Sequence, residues 1–374
     1  MFNQRDQLRF EITSKAVAGL ISIKVAAKTL NVCYRTMIRY KKEFRLRGSA
    51  FLIHGNTGHK SYNSVAPEIK KEIMDLVVER YFDFSIKHTW EKLEDHDLQR
   101  ITYRTLLRWC HEKKYVKKFK TRNSKICKAR ERMPQRGMML QMDGSYHQWY
   151  GKKKSCLIAA IDDANNEISY AEFFDSETTL DCMRVIQKII ETHGAFDILY
   201  TDKAGVYGGN KRQDFCQLEE ACKAVGIQII YAHTAQAKGR IERLWKTLQG
   251  RLIPELRLAD IITKKQANKF LWETFIPNQY NKKFLVQPTT KENTFRPYIG
   301  KDLDQIFSKK EYRVINADQT FNYDSNKYLI NGYPGNLRNK MVEVRTYQDR
   351  SLGYFWANKE LDISEFKIHK IKAA

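Results

Sequence analysis

The amino-acid sequence predicts a multidomain protein: all-α modules at the N-terminal end, an α/β core in the middle and a small β-barrel at the C-terminal end. Three observations predict it. Residues 12–114 space their apolar positions as helices do, residues 138–258 alternate strand-like with helix-like runs, and residues after 296 hold several short strand-like runs between turn residues. With 374 residues the chain can form two or three domains and at least one sizeable core.

The first module, residues 1–50, reads as helices over 12–47 with a short turn before the last one. Ala26 and Ala27 are small enough for helices to cross closely, and Asn31 tolerates the left-handed backbone that such a turn needs. Residues 33–44 form the third helix, with Arg35, Arg39 and Lys42 to one side and Tyr34, Met37, Ile38 and Phe44 expected to pack inward. This is a helix-turn-helix pattern, in which the last helix enters the major groove of DNA. An ordinary three-helix bundle has the same periodicity, and charge favours the DNA reading.

A Gly/Ser/Asn-rich linker follows over 51–65, then a second helix-turn-helix unit over 66–116. Its helices are expected at 67–81, 86–96 and 102–114, with Pro67 suited to a first helical turn. Arg104 and Arg108, four apart on the third of these, are candidate DNA contacts. From 113 to 137 the chain carries eleven Lys or Arg and one Glu. The stretch 117–137 is therefore a basic linker suited to tracking a phosphate backbone, with Lys117, Lys118, Lys120 and Arg122 as its contacts.

The charge excess follows this layout. The formal net charge is +23. Residues 1–137 hold 31 Lys and Arg against 14 Asp and Glu, whereas the rest hold 35 against 29. A surplus of that size favours a polyanionic partner. No apolar run approaches membrane-spanning length, so nucleic acid and not a membrane is the expected partner, and the helix-turn-helix pattern makes it double-stranded DNA. The N-terminus lacks the apolar stretch of a signal peptide, and seven scattered cysteines show no CxxC pair. Reduced thiols and a cytoplasmic location, at the nucleoid when bound to DNA, are expected.

In the core, residues 138–258, strands are expected at 138–150, 154–163, 167–174, 196–202 and 227–233. Helices are expected at 178–194, 213–226 and 239–252. Three strands in succession, then helix, strand, helix, strand, helix, give a mixed sheet flanked by helices. That is the element order of the RNase H-like fold. Residues 259–295 read as a helical connection. Residues 296–374 read as the small barrel, able to bind DNA or a neighbouring subunit.

Phosphodiester chemistry on such a core calls for carboxylates fixed at strand ends, because two Mg²⁺ ions need hard oxygen ligands and little else. Asp143 follows "MLQM" on the first strand, and Asp202 ends the apolar strand "DILYT". Glu242 lies near the start of the last helix, with 58 and 39 residues between the successive acids. On that helix Ile241, Leu244, Trp245, Leu248 and Leu252 form one apolar face, and Glu242, Lys246 and Gln249 line its margin. Glu242 is surrounded by Lys238, Arg240, Arg243 and Lys246. Either these form an ion-pair ladder on a solvated helix, or the basic residues meet DNA while the acid meets metal. Asp162 and Asp163 compete for the role, although "DDANN" also reads as a hairpin turn.

Four ordered stretches decide between these alternatives: "LQMDGSYHQWYG" (140–151), "IDDANNEIS" (161–169), "LYTDKAGVY" (199–207) and "AHTAQAKGRIERLWKTLQGRLIPELRL" (232–258). Together they resemble the DDE transposase/integrase superfamily and, within it, bacterial insertion-sequence transposases of the ISNCY kind. The resemblance implies that Asp143, Asp202 and Glu242 are the catalytic, metal-binding acids, and that Asp162 and Asp163 are structural. It implies two Mg²⁺ ions, with Mn²⁺ able to substitute. It also implies binding to terminal inverted repeats, hydrolysis to a 3′-OH, transesterification into target DNA, and a homodimer or larger synaptic assembly. Lys203 stands where many relatives carry Asn and is a candidate phosphate contact.

Two other readings share these features. A DNA-binding regulator built on a core without chemistry would lack at least one of the acids, and all three are present. A structure-specific nuclease of the same fold would cut without joining. A tyrosine recombinase is disfavoured by the absence of an HxxR box paired with a terminal Tyr, and an ATPase by the absence of GxxxxGK[ST].

Overall fold

The computed structural model describes residues 4–53, 56–58, 62, 64–95, 97, 100–115, 130–202, 211–232, 239–300 and 302–366, with backbone alone at 202 and 211–216. Its contacts divide the chain into two units, Met1–Glu72 and Ile73–Ala374. Among the described residues no helix is long and apolar enough to cross a membrane. Cys33, Cys110, Cys156, Cys182 and Cys222 are free.

The first unit contains α1 (Gln4–Val17), α2 (Ile23–Thr29) and α3 (Tyr34–Arg47). Ser22 caps α2 by accepting from Val25 N at 3.3 Å, and Asn31 takes the left-handed backbone with φ 51°. Ala16, Ala26, Ala27 and Met37 form the buried centre, the alanines letting the helices approach closely. Tyr34 and Ile38, expected to pack inward, are instead 50% and 44% exposed. Met37, Tyr40 and Phe44 already fill the one stripe of α3 that so small a unit can bury. Tyr34 and Ile38 thus share the outer face with Arg35, Arg39 and Lys42.

The second helical group, α4 (Pro67–Glu79), α5 (Ile86–Asp95) and α6 (Tyr103–Glu112), packs around Ile73, Tyr81, Phe84, Leu93, Leu106 and Trp109. Thr102 caps α6 by accepting from Thr105 N at 3.2 Å.

The sheet comprises β1 (Met139–His147), β2 (Ser155–Asp162), β3 (Ile168–Phe174), β4 (Ile198–Asp202) and β5 (Gln228–Ala232), in the order β3-β2-β1-β4-β5. The β1–β2 and β2–β3 pairs are antiparallel, and β1–β4 and β4–β5 are parallel. It is the mixed α/β sheet that the element order predicts. Strand alternation sends Leu140 and Met142 to one face, against α7 (Thr179–His193) and α8 (Lys211–Ala224). Leu157, Ala159 and Ile161 go to the other, against α9 (Gly239–Leu258). The helical connection is α10 (Lys264–Phe270), which runs through a π-helical stretch, Leu271–Asn281, into α11 (Lys282–Phe284).

After the helical turn α12 (Leu303–Ile306) come β6 (Lys309–Val314), β7 (Thr320–Tyr323), β8 (Asn326–Ile330), β9 (Met341–Thr346), β10 (Leu352–Trp356), β11 (Lys359–Glu360) and β12 (Ile363–Glu365). They form a four-stranded sheet, β11-β10-β9-β6, and a three-stranded one, β12-β8-β7. Both contribute to one core, with Phe321 and Ile330 from the smaller sheet meeting Val342 and Val344 from the larger. The expected β-barrel is therefore corrected: among the described residues no ladder closes the two sheets into a cylinder. Strands of two and three residues, such as β11 and β12, offer too few ladder bonds for the stagger that closure requires.

Candidate active site

Strands β1 and β4, which carry two of the expected acids, pair in parallel. The pairs are Met139 with Ile198, Leu140 with Leu199 and Gln141 with Tyr200. The ladder ends there; continued two residues further, the same offset sets Asp143 opposite Asp202, the last residue of β4, whose backbone pairs with Ala232 of β5.

Helix α9 lies along β1 and is fastened to it at three rungs. Ile241 N donates to Gln141 Oε1 at 3.3 Å, Trp245 Nε1 to Asp143 Oδ2 at 3.0 Å, and Gln249 Nε2 to Ser145 Oγ at 3.4 Å. Two strand residues advance roughly 6.6 Å and four helical residues roughly 6.0 Å, so these rungs stay in step. Glu242 falls between the first two rungs, in the first turn of α9, and is exposed. Helical spacing puts it on the same flank as Trp245 and Gln249, with Lys246 exposed beside it.

Asp162 and Asp163 are fully buried. Asp162 accepts from Gly137 N and Ala164 N, each at 2.8 Å. Burial pushes its carboxyl up to about 6, against the pull of those two backbone donors. Asp163 accepts from Gln141 Nε2 and Arg240 Nε at 2.7 Å, from Met133 N at 2.9 Å, and from Arg130. Both acids hold the strand ends and the start of α9 together.

Of the residues expected at DNA, Arg35, Arg39 and Lys42 are exposed on α3, Arg104 and Arg108 on α6, and Arg243 and Lys246 on α9. Arg240 is a correction: it is only 9% exposed and is paired with Asp163. Its position just before Ile241 turns it under the helix, where the buried carboxylate holds it. Lys117, Lys118, Lys120, Arg122, Lys203 and Lys238 lie outside the described residues. So does the Asp202 side chain.

Gln141 and Trp245 went unrecognised in the sequence, where Trp245 reads only as part of the apolar face. The signal was present: 141, 143 and 145 at strand spacing face 241, 245 and 249 at helical spacing. Among the described residues no three His, Cys, Asp or Glu side chains gather into a metal-holding group. The expected acids Asp143, Asp202 and Glu242 are all carboxylates, and hard oxygen ligands of that type fit Mg²⁺.

The sheet and its flanking helices define the class, a mixed α/β core. No protein-family model matches the chain. It is 29% identical over 375 residues to the provisionally named transposase y4bF of Sinorhizobium fredii (strain NBRC 101917 / NGR234), covering 97% of this chain and 81% of that one. It is 32% identical over 300 residues to the transposase for insertion sequence IS1202 of Streptococcus pneumoniae, covering 69% of this chain and 64% of that one. Among solved structures, the HTLV-2 integrase catalytic core domain in complex with magnesium aligns at a TM-score of 0.29 and 21% identity, over 37% of this chain and 86% of that one. The simian T-cell lymphotropic virus intasome in complex with PP2A regulatory subunit B56 gamma aligns at 0.35 and 13%, over 71% and 92%. At TM-scores this low nothing is carried from these structures to this chain. The sequence relatives are more specific: the chain is similar over nearly all its length to one protein named as a transposase, and over about two thirds of its length to the transposase of an insertion sequence. That similarity is consistent with the DDE transposase/integrase superfamily its motifs resemble.

Proposed function

We propose that this chain is a DDE-type transposase of an insertion sequence, a metal-dependent polynucleotidyl transferase. The supporting observation is the β1–β4 register, which continued two residues past its last pair sets Asp143 opposite Asp202, with Glu242 on a helix that three hydrogen bonds fasten to β1. Two Mg²⁺ ions held by these carboxylates, or Mn²⁺ in their place, would neutralise charge on the phosphodiester and activate the attacking oxygen.

The chain's own residues supply position and electrostatics. Two strands and a fastened helix hold the acids rigidly. Lys246, one turn beyond Glu242, meets phosphate from the same flank, and Arg243, Lys203 and Lys238 extend that contact. The modules at 1–50 and 66–116 act as helix-turn-helix readers of the terminal inverted repeats through Arg35, Arg39, Lys42, Arg104 and Arg108. The 117–137 linker tracks the backbone between them and the core.

Two balanced steps follow. In the first, a water oxygen bonds to phosphorus at the element end, the P–O3′ bond breaks, and the freed 3′-oxygen takes a proton. In the second, that 3′-OH gives up its proton as its oxygen bonds to a target phosphorus, and the target's own 3′-oxygen is displaced and takes a proton. Each step exchanges one P–O bond for another, so joining needs no nucleotide triphosphate. Two element ends must be joined together, which calls for a dimer or larger assembly with matching symmetry. The C-terminal sheets are a candidate surface for DNA or for a second subunit. The setting is the bacterial cytoplasm, at the nucleoid when bound.

Strand transfer in Mg²⁺ tests this, using a labelled, precleaved terminal-repeat duplex and a plasmid target, with wild type beside Glu242→Gln. Joined product from wild type alone is expected. Binding without joining by wild type would favour a regulator or nuclease. Equal joining by Glu242→Gln would overturn the triad.

A further inference from the structure

Trp245 does more than fill the space between α9 and the sheet. Its Nε1 donates to Asp143 Oδ2 at 3.0 Å, and the ring has little room to move. It is 8% exposed and lies beside Trp149, with ring centroids 6.3 Å apart. Trp149 is in turn fixed by donating from its own Nε1 to Ser145 O at 3.0 Å. A Leu or Phe would bury comparable apolar surface at this position; indole adds one N–H, and that N–H meets an acid of the proposed site.

The type of donor matters. Just past β2, Asp163 counts Arg240 and Arg130 among its partners, and cations of that kind cancel a carboxylate's charge. An indole N–H is neutral, so it orients a carboxylate without cancelling the charge that would attract a metal ion. Trp245 also stands three residues after Glu242, so one helix carries an acid and the group that aims another.

We propose that Trp245 is a positioning residue, which fixes the Asp143 carboxylate in the rotamer used to hold the divalent cation together with Asp202 and Glu242. The proposal rests on the reading of the three acids above. Partners that orient ligands from behind typically change metal affinity by about 10–100-fold when removed.

The test uses the full chain without DNA and follows Mn²⁺ binding by electron paramagnetic resonance for wild type, Trp245→Phe, Trp149→Phe and Asp143→Asn. Trp245→Phe is expected to weaken Mn²⁺ binding about tenfold, and to raise by a similar factor the Mg²⁺ needed for half-maximal joining, with saturating Mg²⁺ restoring the rate. Trp149→Phe, which perturbs the packing but leaves the Asp143 bond, is expected to bind Mn²⁺ as wild type does. Equal affinity in wild type and Trp245→Phe, or equal losses in the two Phe variants, would overturn the proposal while leaving the triad standing. Undiminished binding by Asp143→Asn would remove the triad and the proposal together. Should Trp245→Phe fail to fold, benzothienylalanine at 245 exchanges the N–H for sulfur at constant shape and serves the same comparison.

Discussion

Arg240 Nε donates to Asp163 Oδ1 at 2.7 Å, and both side chains are buried, 9% and 0% exposed. The same carboxylate oxygen accepts from Gln141 Nε2, whose amide oxygen accepts from Ile241 N at the start of α9. A buried acid on one turn thereby sets the register of the helix that carries Glu242. Removing one partner of such a pair leaves a charge without compensation, at a typical loss of about 3–5 kcal/mol. Asp163→Asn is accordingly expected to lower unfolding stability by that order in urea denaturation. A loss under about 1 kcal/mol would mean that solvent compensates the stranded Arg240 and that the network does not hold α9.

The same pair separates Arg240 from the other basic residues. A Lys or Arg that contacts phosphate contributes roughly 0.9 to the slope of log affinity against log salt. Arg39→Ala on α3 and Arg104→Ala on α6 remove exposed cations. Each is expected to reduce the slope for a terminal-repeat duplex by about that amount with little change in melting temperature. Arg240→Ala is expected to do the reverse, lowering stability and leaving the slope of the remaining folded protein unchanged. Fluorescence anisotropy at several salt concentrations distinguishes them. An unaltered slope in both Arg39→Ala and Arg104→Ala would take these two helices away from DNA.

Tyr34 and Ile38 belong to the same surface. Both are exposed on α3 among its arginines, so replacing them with Ser is expected to change stability by less than about 0.5 kcal/mol. Apolar contact with thymine methyl groups is one use of such residues at a base edge. The double Ser variant is expected to bind the terminal repeat more weakly while its affinity for unrelated duplex stays the same. Equal affinity for both duplexes before and after substitution would leave α3 as a backbone contact only.

The sheet was legible because period-two and period-3.6 patterns are local, and each of its strands announces itself within a few residues. The strand positions of Asp143 and Asp202 were legible for the same reason, since each ends or interrupts an apolar strand. What sequence could not supply was which polar side chains turn inward. Arg240 and Arg243 look alike on the helix, yet Arg240 turns beneath it onto Asp163 while Arg243, three residues on, stays exposed. Tyr34 and Ile38 failed in the opposite sense: hydrophobic type favours burial, but the size of the unit limits how much of α3 it can bury. The barrel failed on closure, which depends on how far strands extend, and the shortest strands here carry almost no pattern.

The pair His88 and Glu255 makes stability depend on pH, and the direction can be worked out. His88 on α5 and Glu255 on α9 meet at 2.7 Å, and Lys92 Nζ lies 2.7 Å from the same carboxylate oxygen. Arg251 also acts on the imidazole, and the Phe84 ring lies 4.4 Å from it. Burial pushes His88 below its ordinary value of 6.5, more strongly than Glu255 pulls it up. The neutral ring donates from Nε2 to Glu255, and its buried Nδ1 has no hydrogen-bond partner among the described residues, so adding a proton there would strand an N–H. Burial raises Glu255, but the hydrogen bonds from His88 and Lys92 outweigh it and bring it below 4.5. Below pH 6.5 the unfolded chain takes up a proton at His88 that the folded chain refuses, so stability falls as pH drops from there towards the lowered value. Glu255 adds a second loss below 4.5, where the unfolded carboxylate protonates first. Wild type is therefore expected to melt at progressively lower temperature from pH 6.5 downwards. His88→Gln, which keeps an N–H donor without a titrating group, is expected to be flatter between pH 6.5 and 5. Thermal melts at half-unit intervals read this directly, and identical profiles for the two proteins would show that His88 does not govern the docking of α5 on α9.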